Sequence, residues 1–301
     1  MFRDDAANVV YITRALDRYP DVSSAMAKSL IDHGITVKRI EGTGNVWCRD
    51  YMPTQVDLNN FVKFNYKGYG DPEAVKSGLA YNDYPQLVVP DECWNFLPGL
   101  TVSPIILDVG NVSRRNGKAI ITEIIFKHNP QYQPKRLLQK LEGLLEAEIV
   151  LIPVEPGDDL GHADGICKWI DDETVCINDT SVMQDPDYDE YTERLKLAFG
   201  IHGIECVPFA YAYNVRPTMT EEEFRAKYPE ADDFNPGFGY YVNFLQVKDL
   251  ILLPVFGIGQ DDWALKCIAK YYPGVKCVPI DCADLSMEGG LVNCTSMNYM
   301  E

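Results

Sequence analysis

Histidine is scarce in this chain, with four in 301 residues, and no Cys-x-x-Cys pair or Cys/His cluster accompanies it. The common zinc-binding patterns are therefore absent. Long apolar runs are missing too: stretches such as LILLPVF at 250–256 are far shorter than the ~20 residues that cross a bilayer. The opening MFRDDAANVV is charged and leads into one short strand-like run, so no signal peptide is expected. Basic side chains are in deficit, 27 Lys and Arg against 45 Asp and Glu, for a net charge of −18. Binding phosphate needs a basic face, so neither nucleic acid nor an anionic membrane is an expected partner. A small cation suits the charge, although most such carboxylates simply solvate a surface.

What is present is ordinary for a globular protein: 46% hydrophobic and 24% charged residues, enough for a large core. The nine cysteines are odd in number and irregularly spaced. Reduced thiols in a cytoplasmic protein are the expectation, not a disulfide framework. No low-complexity linker divides the chain, and one catalytic domain over residues 1–301 is expected.

An internal repeat takes the place of a linker. Helix-like segment, turn, β-branched strand and polar loop recur at 25–45, 136–159, 191–210 and 264–285, and 97–111 carries the strand and loop with a weaker helix before it. After each loop come two short strands joined by a turn, in VWCRDYMPTQVDLNNFVKFNY, VSRRNGKAIITE, ADGICKWIDDETVCIND and YYVNFLQVKDLILLP. Asn-Gly at 116–117 is a strong hairpin signal. The fifth copy, GLVNCTSMNY, ends before its second strand, whereas ANVVYITRA at 7–15 is a strand with no helix before it. The N-terminal strand is therefore expected to complete the last unit and close a ring, leaving short protected edges.

In such a ring the polar loops converge, which singles out their titratable residues. His33 and His202 fall at helix-to-strand turns and His128 at a helix end, where imidazole complements the dipole. His162, in PGDDLGHADG, lies in a converging loop; strand alternation would put Asp164 on the same face. Cys167, Cys176, Cys206 and Cys277 read as strand residues and Cys267 as a helix residue, where thiols act as small hydrophobes. Cys48, Cys93 and Cys282 are ambiguous. Cys294 follows a Gly-Gly loop at the position where other units place Asp50, Asn111, Asp164 and Asn243. Its thiol becomes a nucleophile if a cation or protonated imidazole lowers its pKa from about 8.5. Asp50, Asp108 and Asp164 have no matching basic cluster and suit a planar cation such as guanidinium. A divalent metal would also fit three acids and a histidine, but would leave the thiol without a role.

The ordered set NVWCRDYMP, FVKFNYKGYG, DVGN, GHADG, YYVNF, VFGIGQDDWAL and EGGLVNCTS resembles the agmatine deiminase family. With bacterial-type peptidyl-arginine deiminases, that family belongs to the guanidino-group-modifying superfamily. The resemblance spans residues 8 to 299 and implies an α/β fold, a five-fold pseudosymmetric α/β-propeller of ββαβ modules. It further implies that Cys294 attacks a guanidinium carbon and that His162 serves as acid and then base. Asp50 and Asp164 would clamp the guanidinium nitrogens with Asp108 beside them, and Trp47 would line the channel. Arg49, Asn111, Asn243, Gly289 and Gly290, in the same loops, complete the candidate substrate-binding set. No metal or organic cofactor is implied, and a homo-oligomer is left open. Agmatine, arginine and arginyl peptides all remain candidate substrates. Amidino transfer, release of an alkylamine, and guanidine binding without catalysis are the alternatives.

Three positions depart from the family pattern: Asn293 replaces a histidine, Met52 the glycine of Gly-Pro, and Val109 the first glycine of Gly-Gly-Asn. The segment 214–239 also reads as longer than usual. TMTEEEF is expected to form a capped helix, with Arg216 a candidate partner for a substrate carboxylate and a surface excursion the plainer alternative.

Overall fold

The computed structural model describes residues 3–43, 45–66, 94–212 and 237–301, together with Glu222, Glu223 and Ala226. Cys93, Arg216 and most of 214–239 lie outside these residues, as does the weak helix expected before residue 97.

Among the described residues, fifteen strands form five sheets of three. The first sheet joins β1 (Val9–Thr13), β2 (Thr36–Ile40) and β15 (Ser296–Tyr299), the second β3 (Thr54–Gln55), β4 (Phe61–Asn65) and β5 (Leu100–Ile106). The third contains β6 (Ser113–Arg115), β7 (Lys118–Thr122) and β8 (Glu148–Ile152). β9 (Cys167–Trp169), β10 (Thr174–Asn178) and β11 (Glu205–Phe209) make the fourth. β12 (Leu245–Val247), β13 (Leu250–Val255) and β14 (Lys276–Asp281) make the fifth. Every sheet has the same wiring: its middle strand is antiparallel to one neighbour and parallel to the other. The expected pairing of the terminal strands is present, with Val9 opposite Tyr299 and Ile12 opposite Ser296.

Antiparallel neighbours need only a tight turn, and Asn116-Gly117 supplies one with φ of 45° and 75°, the doubly positive turn that matches strand twist. Parallel neighbours need a crossover, and in four of the five sheets described helices provide it. These are α1 (Pro20–Asp32), α2 (Pro134–Leu145), α3 (Pro186–Ile201) and α4 (Gln260–Tyr271). Proline opens α1, α2 and α3 in the first turn, where its missing N–H costs nothing. Helical spacing then puts Leu137, Leu141 and Leu145 on one buried stripe of α2, and Tyr188, Tyr191, Leu195 and Phe199 on one stripe of α3. The turn after α2 has no glycine. Glu146 adopts the left-handed conformation there, at φ 49°.

Every residue of β1 is buried, as an apolar run covered on both faces should be, and so is every residue of the antiparallel strands β3, β9, β12 and β15. The outer parallel strands are more exposed. Pro104, Pro208 and Pro279 sit in three of them, where proline blunts an open edge.

Candidate active site

The chain makes a short turn before the antiparallel outer strand of each sheet. In order these turns are a helical turn Cys48–Tyr51, 3-10 turns Val109–Asn111 and Ala163–Gly165, and turns carrying Asn243 and Cys294. Hydrogen bonds link them in a cycle. Gly110 N donates to Asp50 Oδ1 (3.2 Å) and Ala163 N to Asn111 Oδ1 (3.2 Å). Asn243 Nδ2 donates to Asp164 O (3.3 Å), Asn293 N to Asn243 O (3.3 Å), and Arg49 N to Cys294 O (3.1 Å). Each turn thus holds the next, and the fifth holds the first.

Within the cycle His162 lies between two carboxylates, with Nε2 3.3 Å from Asp108 Oδ2 and Nδ1 3.7 Å from Asp50 Oδ1. Burial alone would lower the imidazole pKa. Asp50 and Asp108 outweigh that, with Asp164 adding to them, and push it up to about 10. Burial drives Asp50 the other way from an ordinary carboxylate, up to about 7, with Asp108 and Asp164 adding repulsion and His162 opposing. Gly110 makes this closeness attainable. A Cβ there would fall 2.5 Å from Asp50 Oδ1 and 2.8 Å from His162 Nδ1, nearer than any side chain tolerates.

Cys294 is 8% exposed. Its sulfur accepts from Asn243 Nδ2 at 3.2 Å and donates to Asp164 Oδ2 at 3.6 Å, while its amide donates to Asn243 Oδ1 at 3.4 Å. Burial, then Asp164 and Asp50, raise the thiol pKa well above its ordinary value, so the group is a thiol until positive charge arrives beside it. The turn's glycines serve packing: a Cβ on Gly290 would fall 2.5 Å from the Trp47 ring, and Gly289 has φ +91°. Half-buried Trp47 therefore lies directly against the turn that carries Cys294.

The structure brings together Asp50, Asp108, His162, Asp164, Asn243 and Cys294. Two other candidates have their side chains committed within the protein. Arg49 donates from Nε to Asn293 O (2.7 Å) and from Nη2 to Asn298 Oδ1 (2.9 Å). Asn111 Oδ1 accepts from Thr122 N (3.0 Å) as well as Ala163 N, fixing the approach to His162. His162 and Asp164 do not share a strand face as expected; His162 is the extended residue before a 3-10 turn that contains Asp164. His33 and His202 do follow α1 and α3 as C-caps, and His128 ends the short helix Ile124–His128.

Sequence reasoning missed Lys168. Its Nζ donates to Asn293 Oδ1 at 3.0 Å, and Asn293 Nδ2 donates to Asp164 Oδ2 at 2.7 Å. A signal existed: a lysine between Cys167 and Trp169 in a fully buried strand calls for a polar partner.

With the cluster in view, the comparisons with known proteins decide its kinship. The family model for Porphyromonas-type peptidyl-arginine deiminase matches residues 6–299. The chain belongs to this family. Among relatives named "Putative agmatine deiminase", one from Yersinia pseudotuberculosis is 24% identical over 291 residues, covering 90% of this chain and 78% of that protein. One from Enterococcus faecalis is 25% identical over 183 residues, 55% of this chain and 48% of its own length, so the match spans about half of that relative. The solved agmatine deiminase of Enterococcus faecalis superposes with a TM-score of 0.75 at 18% identity, covering 99% of this chain and 94% of that one. At such identity the likeness speaks for the fold, which this member of the Porphyromonas-type deiminase family shares over nearly the whole of both chains.

Proposed function

We propose that the chain is a deiminase: a hydrolase that converts a guanidinium compound and water to the ureido product and ammonium. One observation carries this reading. A buried thiol, an imidazole and three carboxylates meet on the converging turns, an anionic cluster suited to a planar cation. Asp50 and Asp164 clamp the guanidinium nitrogens, and Asp108 holds the His162 ring. The bound cation lowers the thiol pKa, the S–H proton leaves to solvent, and the Cys294 sulfur forms a bond to the guanidinium carbon, giving a tetrahedral adduct. His162 gives a proton to the departing nitrogen, and the C–N bond breaks to leave an S-linked thiouronium. The same imidazole then takes a proton from water as its oxygen attacks that carbon, and the C–S bond breaks as the remaining hydroxyl proton passes to the sulfur, leaving the ureido carbonyl and returning the thiol. The cycle of hydrogen bonds through all five turns supports a five-fold α/β-propeller of ββαβ modules, with the reacting groups at its axis.

Agmatine, free arginine and an arginyl peptide, offered separately, distinguish the substrate class. Equal amounts of ammonium and ureido product are expected from at least one of them, and none from Cys294→Ala. Turnover surviving in that variant would defeat the covalent mechanism, and no turnover of any guanidine by the wild type would defeat the deiminase reading.

A further inference from the structure

Behind the nucleophile turn is a second polar space. A small cavity is lined by Arg49, Arg114, Asp164, Lys168, Asn293 and Asn298 among others, with room for about one or two water-sized occupants. Its walls come from β3, β6, β9 and β15, the antiparallel outer strands of four different sheets, and from the turns that precede them. Asp164 and Asn293 separate it from Cys294.

The charge on these walls is unlike the rest of the molecule. The protein carries −18 overall, yet three cationic side chains face this cavity and one carboxylate does. Arg49, Arg114 and Lys168 are 7%, 6% and 5% exposed, and buried charge is costly without a countercharge. Arg114 is the clearest case. Nη1 donates to Gln55 O and Nη2 to Leu145 O, while Nε is buried with no hydrogen-bond partner among the described residues. Burial pushes its pKa down to about 10, against the pull of Glu146 and Asp57. Arg49 is likewise met by neutral acceptors, the Asn293 carbonyl and Asn298 Oδ1. Asp164 Oδ2 already accepts from Asn293 and lies 3.6 Å from the Cys294 sulfur, so its charge is shared with the neighbouring site.

We propose that this cavity is a binding site for a small monovalent inorganic anion, chloride, gathered by Arg114 together with Arg49 and Lys168. Sulfate and phosphate are too large for a space of this size, and a metal cation meets the wrong charge. Water can accept from Arg114 Nε but brings no countercharge. The anion also acts on the neighbouring site. Arg49 holds the Asn293 carbonyl and Lys168 its side chain, so a filled cavity fixes the residue beside Cys294.

The test does not depend on which guanidine, if any, is turned over. Crystals grown in bromide instead of chloride are expected to show a bromine anomalous peak in the cavity, in contact with Arg114 Nε. Thermal unfolding is measured with chloride replacing gluconate at constant ionic strength. Above the dissociation constant, Tm is expected to climb by a similar step for each tenfold increase in chloride, and Arg114→Gln is expected to flatten that dependence. A cavity without anomalous signal, or a Tm indifferent to the exchange of chloride for gluconate, overturns the proposal. The bromide experiment uses the wild-type protein, so it decides the matter even if the variant does not fold.

Discussion

Asp50 and His162 both bind protons more tightly in the folded protein than in the unfolded chain, which gives the site an unusual pH signature. The Asp50 carboxyl rises to about 7 and the His162 imidazole to about 10. For a group with a raised pKa, the stabilisation is full below its unfolded value and is lost as pH climbs through the folded one. The sign holds for Asp50 although a carboxylate paired with a cation usually behaves in the opposite way. Thermal stability without substrate should therefore fall between about pH 4 and 7 through Asp50, and again between about pH 6.5 and 10 through His162. A Tm scan of Asp50→Asn should lose the first decline; an unchanged profile would remove Asp50 as its source. Substrate reverses the electrostatics. A guanidinium beside Asp50 and Cys294 favours their ionised forms, so its binding should release protons near neutral pH. Calorimetry in buffers of different ionisation enthalpy reads that release directly, and buffer-independent heats would contradict it. Asn293 belongs to this scale too, because its amide both accepts from Lys168 and donates to Asp164. Asn293→Ala should reduce kcat by about 10²-fold, the order expected when a catalytic group is misplaced. KM should change much less if Asp50 binds the cation as proposed; an equal rise in KM would instead make Asn293 part of the binding surface.

Elements are legible in the sequence where local chemistry alone dictates them. Helical spacing of Leu137, Leu141 and Leu145 marks α2 without reference to any partner, and Asn116-Gly117 marks the β6–β7 turn because few other dipeptides accept two positive φ angles. What escapes depends on tertiary context. Glu146 takes the left-handed position that glycine takes after α1 and α3, where Gly34 and Gly203 have φ of 67° and 70°. Its side chain announces none of this. The 3-10 turn under Asp164 looks like strand in the sequence because two residues of spacing cannot separate a tight turn from a pleat. The candidate site is legible as a set of residue types, yet Arg49 and Asn111 show that position in a converging loop does not tell which way a side chain is spent. Lys168 and Arg114 are hidden for the opposite reason: each lies within a strand, where alternation is counted and a single buried cation is easily passed over. The α2 stripe makes a quantitative expectation. Leu141 is fully buried, and Leu141→Ala should cost about 2–5 kcal/mol in denaturant unfolding. A loss below about 1 kcal/mol would mean the helix relaxes into the space and the sheet does not depend on it.

At the scale of the molecule, the two ends of the described chain belong to one sheet. β15 pairs with β1, and the seam is sealed beyond the strands: Asn8 Nδ2 donates to Glu301 O and Glu301 N to Asn8 Oδ1, both at 2.8 Å. Gln55 exchanges a further pair of hydrogen bonds with Met300, and Tyr299 OH donates to Pro53 O at 2.6 Å. The last strand therefore also ties the first sheet to the second, while its preceding turn carries Cys294. Removing residues 296–301 should expose the edge of β1, take Asn298 from Arg49, and leave an insoluble or unfolded protein. The converse experiment separates the need for these contacts from the need for a chain end. A permutant that joins residue 301 to residue 3 through a short Gly-Ser linker can be opened at Lys248-Asp249, an exposed turn between β12 and β13. Every sheet keeps its strands, and only the order in which the chain visits them changes. If the fold is held by neighbouring sheets around a closed course, the permutant should fold with near wild-type Tm and keep its thiol in the same surroundings. Its joined seam should also resist local opening, seen as slower amide exchange in β1 and β15. A permutant that folds only when the original ends are restored would show that the chain termini themselves, and not the contacts between them, govern assembly.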